Sequence, residues 1–283
     1  MHIERTVHAS ARVGEGPVWD SATSELIWVD ILGGQVHRST LDGKTSTVDV
    51  ATTVGAVAPR VDGGLVAATG QGFAVITEAG DLEPRLNLLP HDHRMNDAKC
   101  DSRGRLWAGS THLDFRADQG ALHVLLPDWT SVVLLDGLTL PNGLGWSPDD
   151  RTFYLVDSVE RTLFAFDFDP DGPAITRMRQ LRRFDEEEGL PDGLCIDTDG
   201  RLWLAMWGGG QLLVLDPDGT SRSQIPMPVR QPSSCAFGGE ALDLLFVTSA
   251  RDGLDLDDDA DDGSVFCISS TGARGVKVAP FAG

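Results

Sequence analysis

"LPNGLGWSPDDRTFYLVDS", Leu140 to Ser158, has an echo further along the chain in "LPDGLCIDTDGRLWLAMW", Leu190 to Trp207. Both open with Leu-Pro-(Asn/Asp)-Gly-Leu, run through a short apolar stretch, turn on Asp or Gly, and enter a second apolar stretch built around a large side chain. Asn-Gly and Asp-Gly ordinarily join the two strands of a hairpin. Here each opens an apolar run instead. Working outward, the second stretch recurs as "SELIWVDI" (24–31), "GGLVAATG" (63–70), "GRLWAGST" (104–111) and "LDLLFVTS" (242–249). Aligned on Trp28, Val66, Trp107, Leu155, Trp203 and Phe246, the steps are 38, 41, 48, 48 and 43 residues.

Each stretch is preceded by a shorter apolar run and a turn, as in "GPVWDSATS" and "DAKCDSRG". Each is followed by a third run ending near Gly or Asp-Gly, as in "GQLLVLDPDG", and then by a weaker fourth run such as "TSTVDV". Six units of four short strands, with no helix between them, predict an all-β six-bladed β-propeller with four antiparallel strands per blade. The alternating "HIERTVH" at the start is expected to be the outer strand that completes the last blade. No linker divides the chain, so residues 1–283 are expected to form a single domain.

The net charge of −20, from 23 Lys and Arg against 43 Asp and Glu, argues against nucleic acid and anionic membranes as partners. The opening "MHIERTVHAS" lacks the apolar core of a secretory signal, and no apolar run is long enough to span a bilayer. A cytoplasmic protein is expected. The four cysteines (Cys100, Cys195, Cys235, Cys267) form no C-x-x-C pair, which predicts buried free thiols and no zinc or disulfide framework.

In a propeller the first strand of each unit lines the central channel, so equivalent positions converge although they are far apart in sequence. The residue expected just before each first strand is Glu15, Val54, Asn96, Asn142, Asp192 and Ser233. Two are acids and two are amides. Carboxylates held together in a channel repel unless one takes a proton or a cation sits between them. Carboxylate and amide oxygens are hard ligands that suit Ca²⁺, Mg²⁺ or Mn²⁺, with Zn²⁺ and Fe²⁺ possible through the acids. This predicts one divalent metal ion held by Glu15, Asn142 and Asp192, with Asn96 nearby. Strand-edge Asp and Asn that cap backbone amides are the competing reading of the same positions.

At these residues the sequence resembles the gluconolactonase and regucalcin (senescence marker protein 30) family of sugar lactonases. The matching stretches are "GEGPVWD", "RMNDAKCDSRGRLWAGS", "QGALHVLLPD", the two long phrases quoted first, "PSSCAFGG", "LFVTSARDGL" and "GVKVAPFAG", in order along nearly the whole chain. The resemblance implies a metal site on Glu15, Asn142 and Asp192, substrate contacts from Arg94 and Asn96 of R-x-N-D, and hydrolysis of a small lactone. Some relatives carry a sugar-contacting acid after the "AGT"-like strand end; this chain reads "STHLDFRAD" there, and His112 or Asp114 takes that place.

The predicted reaction is metal-assisted opening of an aldonolactone to the aldonic acid, with the metal polarising the carbonyl. Asp192 is the expected base, and a hydroxide on the metal is the rival. No Gly-x-Ser-x-Gly appears, which argues against an acyl-enzyme. A non-catalytic calcium-binding or regulatory propeller, an interaction scaffold and a propeller hydrolase acting on other esters are the alternatives. A closed propeller needs no partner for stability, so a monomer or weak oligomer is expected. The run "DLDDDADDG" (255–263) fails EF-hand spacing and reads as a solvated loop, as does "FDEEEGLP" (184–191). Trp107 and Trp203 of "GRLW" are expected in the blade core, while Trp207 stands equally between core and pocket wall.

Overall fold

A computed structural model describes residues 1–255 and 260–283. The acidic run 255–263 therefore falls partly outside the described residues. Among the described residues there are six four-stranded antiparallel sheets. Their innermost strands are Gly14–Asp20, Val54–Pro59, His93–Cys100, Pro141–Trp146, Leu190–Ile196 and Pro232–Gly238, which open blades 1 to 6 in that order. Each inner strand touches the inner strand of the next blade, and that of blade 6 touches that of blade 1, so the ring is closed. The N-terminal strand His2–Val7 pairs with Val265–Ser269 as the outermost strand of blade 6, as the sequence predicts. The one helical element among the described residues is a single 3-10 turn at Glu186–Glu188, ahead of the inner strand of blade 5.

The core is not central. Apolar side chains from the facing sheets fill the wedges between neighbouring blades. Trp19, Trp28 and Phe246 join blade 6 to blade 1, and Trp107, Phe153 and Phe168 join blade 3 to blade 4. The "GRLW" motif explains how two of the wedges are anchored. Asp101 Oδ1 accepts the backbone N–H groups of Arg103 (2.9 Å) and Arg105 (3.0 Å). Its Oδ2 accepts Arg105 Nε (2.5 Å) and Trp107 Nε1 (2.9 Å). Asp197 repeats the arrangement in blade 5 with Asp199 N (3.0 Å), Arg201 N (2.9 Å), Arg201 Nε (2.7 Å) and Trp203 Nε1 (2.9 Å). One carboxylate thus folds the turn between first and second strands and fixes the tryptophan that follows. Trp107 and Trp203 are buried core residues.

The C-terminal segment crosses the end of the channel where the inner strands finish. Thr198 N donates to Arg274 O (2.8 Å) and Gly275 N to Leu242 O (2.8 Å), which ties the segment to blades 5 and 6. On the opposite side of the ring, Phe281 N donates to Pro59 O (2.8 Å), Ala282 N to Gly104 O (2.9 Å) and Arg60 Nε to Gly283 O (2.8 Å). Phe281 is fully buried between blades 2 and 3. Between these anchors, Gly275–Ala279 form one wall of a cavity of about 200 Å³ on the axis, whose other walls include Val18, Ala98, Lys99, Leu144 and Cys195.

Candidate metal and active site

The six positions singled out in the sequence lie inside the inner strands, not before them. Every inner strand carries one extra residue relative to its partner at this level. The register breaks between Glu15 and Val18, Val54 and Ala56, Met95 and Ala98, Pro141 and Leu144, Pro191 and Leu194, and Pro232 and Ser234. A bulge bends its strand and re-aims the side chains on it. Six bulges at one height turn a ring of strand residues into a ring of side chains. The glycine of each repeated phrase serves close approach, not a turn. A Cβ on Gly143 would stand 2.3 Å from the Asp192 carbonyl oxygen, and one on Gly193 would stand 2.0 Å from Ser234 Oγ. The inner strands of blades 4, 5 and 6 can therefore pack backbone against backbone only with glycine at these sites.

Glu15, Asn142 and Asp192 are all buried, as are Arg94 and Asn96. Asn142 Nδ2 donates to Asp192 Oδ1 and to Ser158 Oγ (3.1 Å). Its Oδ1 has no protein partner although it is buried. Glu15 Oε2 accepts the Gly16 N–H at 2.8 Å. Arg94 Nη1 donates to Asn96 Oδ1 (2.6 Å) and Met95 O (3.0 Å), and Asn96 Nδ2 donates to Pro141 O (3.1 Å). Arg94 and Asn96 are thus fixed to each other and to the strand that carries Asn142.

Burial and then the negative charge of Asp97 push the Glu15 carboxyl up to about 8, against smaller opposing effects of the Gly16 amide, Lys99 and Arg94. Asp192 is raised well above the ordinary carboxylate range by burial, Glu15 and Asp97, with Arg94 and the Asn142 amide opposing. Burial lowers Arg94 to about 10, and the attraction of Glu15 and Asp192 limits the fall. These mutual effects place Glu15, Asp192 and Arg94 in one electrostatic cluster.

Sequence reasoning missed Asp97. It is buried, both of its oxygens lack partners, and its charge acts on both Glu15 and Asp192. Strand alternation would send it away from the side that Asn96 faces. The bulge between Met95 and Ala98 cancels that alternation. Burial raises the Asp97 carboxyl above its ordinary range, and Lys99, next on the same face and donating to the Leu194 carbonyl, opposes that rise.

Of the remaining positions, Val54 packs in the wedge between blades 1 and 2, and Ser233 Oγ donates to Gly14 O (2.5 Å), which helps join blade 6 to blade 1. His112 lies beside His93 in the sheet, one position from the Arg94–Thr111 pair. Its Nδ1 accepts the Asp114 N–H (2.9 Å), so its proton sits on Nε2, which faces Asp92 Oδ2 at 3.4 Å. Its ring meets His93 edge-on at 5.2 Å. Among the described residues no hydrogen bond links His112 to Glu15, Asn142 or Asp192. Asp114 is exposed and paired with Arg116 at 3.3 Å. Trp207 is half-buried at the end of its strand, opposite Leu190.

The donor set fits a divalent cation. Asp192 is buried within the electrostatic reach of Glu15, the Asn142 amide bonded to it has a buried oxygen with no protein partner, and such groups are costly without a counter-charge. Among the described residues no three His, Cys, Asp or Glu side chains gather as a metal cluster, so the set depends on the Asn142 oxygen. Also among them, no helix is long and apolar enough to cross a membrane.

The profile of the SMP-30/gluconolactonase/LRE-like region matches residues 13–251. Regucalcin of Gallus gallus is 37% identical over 285 residues, covering 96% of this chain and 95% of that protein. A luciferin-regenerating enzyme superposes with a TM-score of 0.93 at 29% identity, covering 99% of both chains. A calcium-binding protein, regucalcin, from Agrobacterium tumefaciens superposes with a TM-score of 0.91 at 26% identity, covering 98% of this chain and 96% of that one.

Proposed function

The chain belongs to the SMP-30/gluconolactonase/LRE-like family, and we propose that it is a divalent-metal-dependent lactonase that opens a sugar lactone to the aldonic acid. The observation that carries this reading is the joining of a cation-accepting set, Glu15, Asn142 and Asp192, to a buried arginine and amide, Arg94 and Asn96. A protein that only stores or senses a cation has no need of a buried guanidinium beside the site.

Glu15, Asp192 and the free Asn142 oxygen hold the cation. Oxygen donors alone favour Ca²⁺, Mg²⁺ or Mn²⁺ over Zn²⁺ and Fe²⁺. When bound, the cation supplies a Lewis acid that draws charge from the lactone carbonyl. Arg94 keeps N–H groups beyond the one committed to Asn96 and Met95, and these bind ring hydroxyls and the oxygen on which negative charge develops. Asn96, locked by Arg94 and Pro141 O, presents a fixed edge to the sugar. Asp192 takes the proton of the attacking water and returns it to the ring oxygen, held for that role by its hydrogen bond from the Asn142 amide. The substrate panel consists of glucono-, galactono-, xylono- and arabinolactone. His112 and Asp114, at the end of the second strand of blade 3 and the loop that follows, are the positions at which selectivity among them is to be sought. The protein acts on a small molecule as a monomer or weak oligomer in the cytoplasm, without nucleic acid or membrane as partner.

The test is a pH-stat assay of that panel against Ca²⁺, Mg²⁺, Mn²⁺, Zn²⁺ and Fe²⁺, with and without EDTA. Hydrolysis of at least one lactone, abolished by chelation and restored by a cation, is expected. Full turnover in excess EDTA with no metal in the protein overturns the metal dependence. A cation-loaded protein that opens none of the lactones overturns the enzyme and leaves the calcium-binding, regulatory reading.

A further inference from the structure

Below the cluster, the channel carries a second pair of reactive side chains. Cys195 and Cys235 sit on the inner strands of blades 5 and 6, with their sulfurs 3.5 Å apart. Both are free thiols. Cys235 donates its S–H to the Trp203 carbonyl at 3.1 Å. The strands that carry the pair are held together by the close approach of Gly193 to Ser234. Cys195 lines the cavity of about 200 Å³ closed by Gly275–Ala279, whereas Cys235 is fully buried behind it. The arrangement is a reachable thiol backed by an unreachable one.

We propose that Cys195 and Cys235 are a redox modification site, in which hydrogen peroxide entering the cavity oxidises Cys195 and Cys235 then closes a disulfide that ties blade 5 to blade 6 beneath Asp192. In the first step the Cys195 sulfur attacks peroxide, the O–O bond breaks, one oxygen stays as the sulfenic acid and the other leaves as water. In the second, the Cys235 sulfur attacks the Cys195 sulfur, the S–O bond breaks, and the hydroxyl leaves as water with the proton of the Cys235 thiol. The balance is two thiols and one peroxide to one disulfide and two waters. The sulfurs must close from 3.5 Å to about 2.05 Å.

Burial holds the Cys195 thiol well above its ordinary pKa and slows its attack on peroxide, and the nearby Lys99 charge works against that. Two features favour this outcome over others. A soft metal ion between the sulfurs would add positive charge beside Lys99, whereas a disulfide is neutral. The cavity admits peroxide but not a peptide-sized disulfide. Cys100 lines the same cavity and is also buried, but it has no thiol neighbour, so it serves as the internal control.

The test is exposure of the reduced full-length protein to hydrogen peroxide, trapping of free thiols with N-ethylmaleimide, and peptide mapping without reduction. A Cys195–Cys235 cross-linked peptide about 2 Da below the sum of its reduced parts, reversed by dithiothreitol, is expected. It should form before Cys100 is modified, and it should not form with oxidised glutathione over the same time. Cys195→Ser and Cys235→Ser should each abolish it, and mapping of the unmodified chain decides the matter should a variant not fold. Over-oxidation of Cys195 with Cys235 still free, prior oxidation of Cys100 with the pair intact, or a mixed disulfide of Cys195 with glutathione would overturn the proposal.

Discussion

Replacing Asp101 tests whether the "GRLW" motifs anchor the blades through one carboxylate. In the native protein its side chain has no exposure, and Arg105, its ion-pair partner, is 7% exposed. Asp101→Ala removes four acceptor contacts at once. Arg105 keeps one, Nη2 to Pro170 O at 3.0 Å, and the Trp107 indole N–H is left without an acceptor in a fully buried position. Removing one member of a buried ion pair costs about 3–5 kcal/mol, because the other charge stays behind without compensation. We expect about 4 kcal/mol here. For a chain of this length that is about 8 °C in thermal midpoint. Asp101→Asn should be no milder, since its amide places N–H where two donors already point. The double variant Asp101→Ala/Arg105→Leu should recover part of the loss by removing the stranded charge. The assay is guanidinium unfolding followed by tryptophan fluorescence, with Asp199→Ala as control. Asp199 pairs with the same Arg201 that Asp197 holds, but its side chain is 69% exposed, so its pair is worth less than about 1 kcal/mol. A loss below about 1 kcal/mol for Asp101→Ala, or equal losses at Asp101 and Asp199, would refute the reasoning.

Asp192→Asn should lower lactone turnover at least a hundredfold while the fold is kept, as measured by pH-stat and circular dichroism; near-native turnover with cation bound would remove Asp192 as the base. Arg94→Lys keeps the charge but loses the planar fork, so KM for the preferred lactone should rise at least tenfold, and an unchanged KM would take Arg94 out of substrate binding. The metal-free protein should lose stability as pH rises. Glu15 holds its proton to about 8 when folded but releases it near 4.5 when unfolded, so the folded state binds more protons across that interval and the unfolded state gains by ionising. Chelated samples melted from pH 5 to 8.5 should show a falling midpoint that Glu15→Gln flattens, and equal slopes for the two proteins would contradict the assignment. Phe281→Ala should cost about 3 kcal/mol in guanidinium unfolding, because it empties a buried wedge position between blades 2 and 3.

The ring was legible in the sequence because its blades repeat one four-strand pattern, and blades 3 and 5 share a phrase that their own physics requires. Asp101 and Asp197 need Gly and Arg at fixed offsets to close the turn and a tryptophan to receive, so "GRLW" recurs. The channel-lining place of the six equivalent positions was also legible, since all of them fall on inner strands. Its details were not. One extra residue in a strand has no composition of its own, so the bulges were invisible and Asp97 was passed over. The glycines of the repeated phrase stood out because they open an apolar run where a hairpin turn is usual, but the sequence does not show what selects them, the carbonyl of Asp192 and the side chain of Ser234 across the gap. Arg94 came only through resemblance, because its place on the strand has no counterpart in the repeat. The forty residues between Cys195 and Cys235 hid a contact that exists only once two blades stand side by side.

The way the two chain ends are used sets a schedule for synthesis. Strand His2–Val7 is synthesised five blades ahead of its pairing partner, Val265–Ser269. The segment that bolts blades 5 and 6 to blades 2 and 3 is later still, ending in Phe281 and Gly283. An unpaired strand edge is therefore exposed while the blades between the two strands are made, and no nascent chain short of Val265–Ser269 is a sealed ring. Ribosomes stalled before Val265 has emerged should carry an open, chaperone-dependent chain, and emergence of residues 265–283 should be the event that commits it to the native state.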